Sequence, residues 1–358
     1  MFPMPIRASL TVFSLLAAAG SISMAAAHAD DLLVVNRGAD SAMLFESGKN
    51  QAAWTFETGS GPHEASASPD GSLTIICVYG TQKPNNKLLL IDPKARKIVR
   101  TIDLGEFRRP HGAAWMKDNR HVVVTCEMEQ AVVKVDTTEG KIVQTWKTGQ
   151  KGSHMLALSP DEKTIYTANV GDASVSVIDA AGDGAKPRAI VKTAAGCEGI
   201  GISPDGKFVW TANRGAHNVS VIDTGTLAVV EAIDSPGLPI RVLVSPTGKH
   251  ALVTRPEAGL VSVFDASSRK LIKEIDPKPG AGVDAEPLPT EGPNAGKDAP
   301  MGMTFSPDGS RAYVCNLASG TVAVIDMASL EVVGHKRAST VPDGVAAFTP
   351  NSAATAPK

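Results

Sequence analysis

Aromatic residues make up only 4% of this 358-residue chain, and cysteines number four. Cys77, Cys126, Cys197 and Cys315 are far apart and form no Cys-x-x-Cys pair, so the spacing is not that of a small disulfide scaffold. Cys77 and Cys315 each close an apolar, strand-like run (LTIIC, RAYVC), which predicts buried thiols and no essential disulfide. Cys-x-x-Cys-His is missing, so covalent haem is excluded. His-Glu-x-x-His, Gly-x-Ser-x-Gly and a phosphate-cradling glycine loop are missing as well. The net charge is −2 and no basic run stands out, so nucleic acid is not expected as a partner. Beyond residue 24 no apolar run reaches the ~20 residues needed to cross a bilayer.

What is present begins with an export signature. Arg7, an apolar stretch over residues 10–24 and Ala27-His28-Ala29 follow the order of a cleaved secretory signal ending before Asp30. The expected organisation is a signal peptide at 1–29, a folded unit at 30–350 and a disordered tail at 351–358. The expected product is a monomer without a membrane span, in the periplasm or secreted.

The folded unit repeats. Ser68-Pro69-Asp70-Gly71 returns as Ser159-Pro160-Asp161-Glu162, Ser203-Pro204-Asp205-Gly206, Ser245-Pro246-Thr247-Gly248 and Ser306-Pro307-Asp308-Gly309. Met116-Lys117-Asp118-Asn119 and Thr349-Pro350-Asn351-Ser352 are degenerate copies. Each turn is preceded by one short apolar run and followed by a second. A third run alternates with period two and ends in Asp, as at 175–179 and 322–326, and a fourth is β-branched. Four strands per unit of roughly 40–50 residues predict a propeller blade. The two ends complement one another: 345–349 carries a first-strand pattern and then stops, while 32–36 carries a second-strand pattern with nothing before it. Joining them predicts an all-β, seven-bladed β-propeller of four-stranded antiparallel blades with no open edge.

With these elements in hand, the chain resembles the YVTN-type seven-bladed β-propeller repeat family, and within it the YncE-like periplasmic propellers. Tyr166-Thr167-Ala168-Asn169 and Tyr313-Val314-Cys315-Asn316 approximate the tetrapeptide that names the family. The resemblance implies a seven-bladed protein of the periplasm or cell surface. It implies little about activity, because the scaffold carries enzymes, binding proteins and structural modules alike.

Chemistry is therefore sought where the copies differ. Six residues before the turn proline, at the start of the innermost strand, the copies read His63, His111, His154, Glu198, Ile240 and Met301, and Asp343 is the match in the closing copy. Three imidazoles in one register is about a 1% accident by counting matches. The predicted metal set is His63, His111, His154, Glu198 and Asp343. Zn, Cu, Ni or Fe is the divalent ion such a set would take. Water-filled propeller channels also accept polar residues, and imidazoles bonded to loop carbonyls would account for the same register.

The loops leaving the second strands open on the same face and carry Arg37, Tyr79, Glu127, Asn169, Arg214, Arg255 and Asn316. Arg37, Tyr79, Glu127, Arg214, Arg241 and Arg255 are the predicted ligand-binding residues. A long insert at 276–299 replaces a short loop and is expected to lie over that face as a lid. Two classes of function fit. One is binding of a small molecule, or of an envelope protein or glycan, at the central funnel through the metal site. The other is a lactonase-like hydrolase or a lyase using the same His, Glu and Arg groups.

Overall fold

The structure is a computed structural model and describes residues 30–350 together with Met1; the predicted signal peptide and tail lie outside the described residues. Seven four-stranded antiparallel sheets form a ring. Blade 1 contains Pro62–Ala67, Thr74–Gly80, Pro84–Asp92 and Lys97–Asp103, running from the axis outward. Blades 2 to 6 repeat this order, their innermost strands being Pro110–Trp115, Ser153–Leu158, Cys197–Ile202, Arg241–Val244 and Pro300–Phe305. Among the described residues no helix is long and apolar enough to cross a membrane.

Each repeated motif has a local job. In the blade 4 turn, Ser203 Oγ donates to Asp205 Oδ1 at 2.6 Å and accepts from the Phe208 amide at 3.0 Å. Gly206, at φ 74°, takes the left-handed conformation that closes the turn. The Asp ending the third strand caps the next turn: Asp223 Oδ1 accepts from the amides of Gly225 and Thr226 at 3.1 and 2.8 Å. The Asn ending the second strand is also structural. Asn213 Nδ2 donates to Asn218 Oδ1 and to Ser220 Oγ, both at 2.8 Å, inside the blade.

Blade 7 closes the ring as the half-repeats predict. Pro342–Phe348 pairs with Asp31–Asn36, with Val34 opposite Val345 and Leu33 opposite Ala346. The closing strand starts three residues earlier than the 345–349 pattern suggests, because Pro342, Asp343 and Gly344 are already extended. Apolar residues gather in seven clusters, one in each interface between neighbouring blades. Branched aliphatic side chains fill most of this space, so a chain poor in aromatics still closes its core. All four cysteines are buried free thiols.

Candidate functional site

The residues in the differing register sit at a shared irregularity. Ladder pairing skips between Pro62 and Ala65, between Pro110 and Ala113, between Ser153 and Leu156, between Cys197 and Gly199, and between Pro300 and Met303. A bulge re-aims a side chain that regular pleating would send into a blade interface. It falls at His63, His111, His154, Glu198 and Met301 in turn. The rings of His63 and His111 lie 4.1 Å apart between centroids, and those of His111 and His154 lie 3.6 Å apart. Glu198 Oε1 stands 3.5 Å from His154 Nε2, and Asp343 Oδ2 stands 3.4 Å from His63 Nδ1. All five predicted metal residues therefore meet around the axis.

Their partners separate them. His154 has a carboxylate on each side, with Glu127 Oε2 3.1 Å from Nδ1 and Glu198 on the other nitrogen. Burial disfavours its charge, but the two carboxylates overcome this and raise its pKa. His63 Nε2 lies 3.2 Å from Arg37 Nη1. A guanidinium only donates, so that nitrogen is the acceptor and Nδ1 carries the proton in the neutral ring. His111 is fully buried, and neither of its ring nitrogens has a hydrogen-bond partner. Burial first, and then the neighbouring His154 and His63, hold its pKa well below the usual range, so it is neutral.

A second register, one residue further on, was not singled out in the sequence. It reads Glu64, Gly112, Met155, Gly199, Arg241, Gly302 and Gly344. Neighbouring inner strands approach so closely there that a Cβ on Gly302 would sit 1.7 Å from the Asp343 carbonyl oxygen. Glu64 and Arg241 use the equivalent positions to reach across the axis, and Arg241 Nη2 donates to Glu64 Oε1 at 2.5 Å. Arg241 Nη1 also lies 3.4 Å from Glu198 Oε1. Burial works to raise the pKa of Glu64, but the charge of Arg241 and the neighbouring His63 bring it down to about 2. Glu198 is likewise brought to about 2, against burial, by His154, Arg241 and Arg214. Arg241 was expected to hold a ligand; it is 4% exposed and serves as the resident counter-ion of the floor. Donor atoms of His63, Glu64 and His111 lie within 4.8 Å of one another, close enough to share an ion. Glu64 and Arg241 are the two charged residues in a glycine-rich register, the signal by which the pair could have been found.

Above the floor opens a cavity of about 570 Å³. Arg37, Tyr79, Glu127 and Arg214 line it as the second-strand exits predict, and Ile240, Met301, Leu238, Pro256 and Leu317 form an apolar side. Tyr79 donates to Glu127 Oε2 at 2.8 Å and accepts from Arg109 Nη1 at 2.9 Å; Arg109 is a further residue the repeat register does not reveal. Burial leads in raising the Tyr79 phenol to about 12.

Arg255 is placed elsewhere. Its guanidinium is 5% exposed and pairs with Glu274 of the outer strand and with the Pro236 carbonyl, outside the funnel lining. Asn169 and Asn316 are buried within their blades. The insert contributes Asn294 and Ala299 to the funnel wall. Elsewhere it is tied to blade 6, where Glu286 pairs with Arg337 and its amide donates to the Ser319 carbonyl.

The YNCE-like beta-propeller family matches residues 115–286. No curated protein matches the chain. Among solved structures, Kuenenia stuttgartiensis hydrazine synthase is similar with 20% identity and a TM-score of 0.66, over 81% of this chain and 90% of that one. A functionally unknown protein from Desulfotomaculum acetoxidans DSM 771 is similar with 16% identity and a TM-score of 0.71, over 89% of this chain and 99% of that one. At such identities the likeness concerns the fold. With its ring closed by a shared blade, the chain is a seven-bladed β-propeller, similar over residues 115–286 to the YNCE-like beta-propeller family.

Proposed function

We propose that the protein binds a small ligand in the axial funnel, with a divalent transition-metal ion held by imidazole at the funnel floor. The observation that carries this reading is His111, a fully buried neutral imidazole with no partner on either nitrogen. A buried unsatisfied polar group costs about 1–3 kcal/mol, and a coordinate bond removes that cost. His63 and Glu64 offer the neighbouring donor atoms. Because Arg241 claims Glu64 Oε1 and Arg37 claims His63 Nε2, an ion has to displace a guanidinium contact to gain either atom. Such a site favours ions that bind imidazole strongly, such as Zn, Cu, Ni or Fe, over oxygen-seeking Ca or Mg. A cavity of about 570 Å³ falls in the range of small-molecule sites.

Zinc and copper titration of wild type against the His63→Ala/His111→Ala/His154→Ala variant tests the ion. One ion bound by wild type and none by the folded variant is expected; equal stoichiometry overturns the reading. Catalysis is the second reading, favoured by His154, which Glu127 holds at the funnel wall with its pKa raised and which would give a proton to a bound carbonyl compound, Tyr79 and Arg109 fixing Glu127 from behind. Turnover of lactones or uronates by purified protein, lost in Glu127→Gln, would establish it. We also infer export, supported by the Ala27-His28-Ala29 site. Amino-terminal sequencing of protein recovered from the cell envelope should begin at Asp30.

A further inference from the structure

The funnel wall carries information about its ligand that the metal reading does not use. Arg37 and Arg214 stand at the mouth with side chains 37% and 45% exposed. Each is tethered from below through one nitrogen: Arg37 Nη1 to Asp343 Oδ2 at 3.2 Å and to His63, and Arg214 Nη1 to Glu198 Oε2 at 2.7 Å. Among the described residues the other guanidinium nitrogens of both side chains have no hydrogen-bond or ion-pair partner, and both side chains line the cavity. Tethering fixes the direction of a long side chain while leaving donors that match a carboxylate's two oxygens.

The acids nearby are already committed. Glu198 is shared among His154, Arg214 and Arg241, and Glu127 between Tyr79 and His154. Glu257 lies on the exposed rim, where solvent and salt screen it. The mouth therefore offers a ligand donors rather than acceptors, although the funnel as a whole is rich in carboxylates. Between the blades of these two arginines, Ile240, Met301, Leu238 and Leu317 present apolar surface to the funnel.

We infer that the funnel takes a small organic carboxylate with an apolar body, its anionic end on a guanidinium at the mouth, Arg37 or Arg214, and its body against the Ile240–Met301 wall between them. This rests on the funnel being the ligand site but not on the ion.

Calorimetric titration with acetate, butanoate, hexanoate, hexanamide and hexylamine tests it, using chelator-treated and zinc-supplemented protein in parallel. Affinity should rise about fourfold per added methylene through the series. Hexanamide and hexylamine should bind at least tenfold more weakly than hexanoate. Arg37→Gln/Arg214→Gln should lose at least tenfold in hexanoate affinity, and Arg37→Lys/Arg214→Lys should recover part of it. Thermal melts of both variants establish that they fold. Met301→Gln should flatten the chain-length dependence while leaving acetate binding unchanged. Equal affinity for hexanamide and hexanoate overturns the inference, as does failure of the whole series to bind. Hexanoate binding by protein that takes up no zinc overturns the ion and leaves this inference standing. Zinc binding with no preference for carboxylate does the reverse.

Discussion

Two arcs of one funnel are built on the same backbone and held in opposite ways. On blades 7 and 1 to 4 the ring register holds Asp343, His63, His111, His154 and Glu198, of which all but His111 are tied to one another or to three arginines. On blades 5 and 6 it holds Ile240 and Met301, which rely on packing alone. Removing an ion-paired member of the polar arc strands a buried charge, whereas trimming the apolar arc only loosens contacts. The difference teaches that a propeller can vary its axial chemistry blade by blade, provided every buried charge finds an opposite one across the ring.

The largest effect that would break this contrast is predicted at Arg241. Arg241→Met leaves Glu64 and Glu198 without their shared counter-ion and should cost about 3–5 kcal/mol in denaturant unfolding. Adding Glu64→Gln to it should restore part of the loss. A second substitution tests the geometry beneath the apolar arc. Gly302→Ala puts a methyl group 1.7 Å from a backbone oxygen and should cost about 1–3 kcal/mol or more. Gly280→Ala, with nothing within 4 Å, should change stability very little. Ile240→Val, a trimming of the wall, should cost about 0.5–1.5 kcal/mol.

His111→Leu points the other way. In chelator-treated protein it should leave unfolding free energy unchanged or raise it by about 1 kcal/mol, since two unpartnered nitrogens leave the interior. A loss as large as that of Arg241→Met would mean the two arcs do not differ as described. The smallest effect concerns the blade interfaces. Burial raises the Cys197 thiol to about 11, so iodoacetamide at pH 8 should leave the folded chain unlabelled and modify four thiols in denaturant.

Much of the ring was readable from residue order. Turn chemistry repeats with the blades, and complementary half-repeats at the two ends require a shared sheet. The gathering of the three histidines followed from register alone. Their inward aim did not, because it depends on a bulge at the start of each of their three strands, and a skipped ladder pair leaves no mark in composition. Arg214 and Arg255 show the same limit. Arg255 ends its second strand in the place that Asn213 holds in blade 4, while Arg214 comes one residue later; Glu198 pairs with Arg214 at the funnel and Glu274 with Arg255 outside it. The repeat pattern fixes where each arginine starts, and a partner from another strand decides where it points. The Glu64–Arg241 pair lay one position beyond the register that was searched, among glycines that read as fold-keeping.

The shared seventh blade also has a consequence for biogenesis. Glu64 meets Arg241 across 177 positions of chain, and Asp343 belongs to the strand that clasps the amino-terminal end. While the polypeptide is still emerging, its first strands wait without their hydrogen-bonding neighbour and the axial constellation does not exist. A fragment stopped before residue 342 would leave Asp31–Asn36 without its inner neighbour and the floor without Asp343, so the last contacts of the ring are made between its most distant parts of sequence.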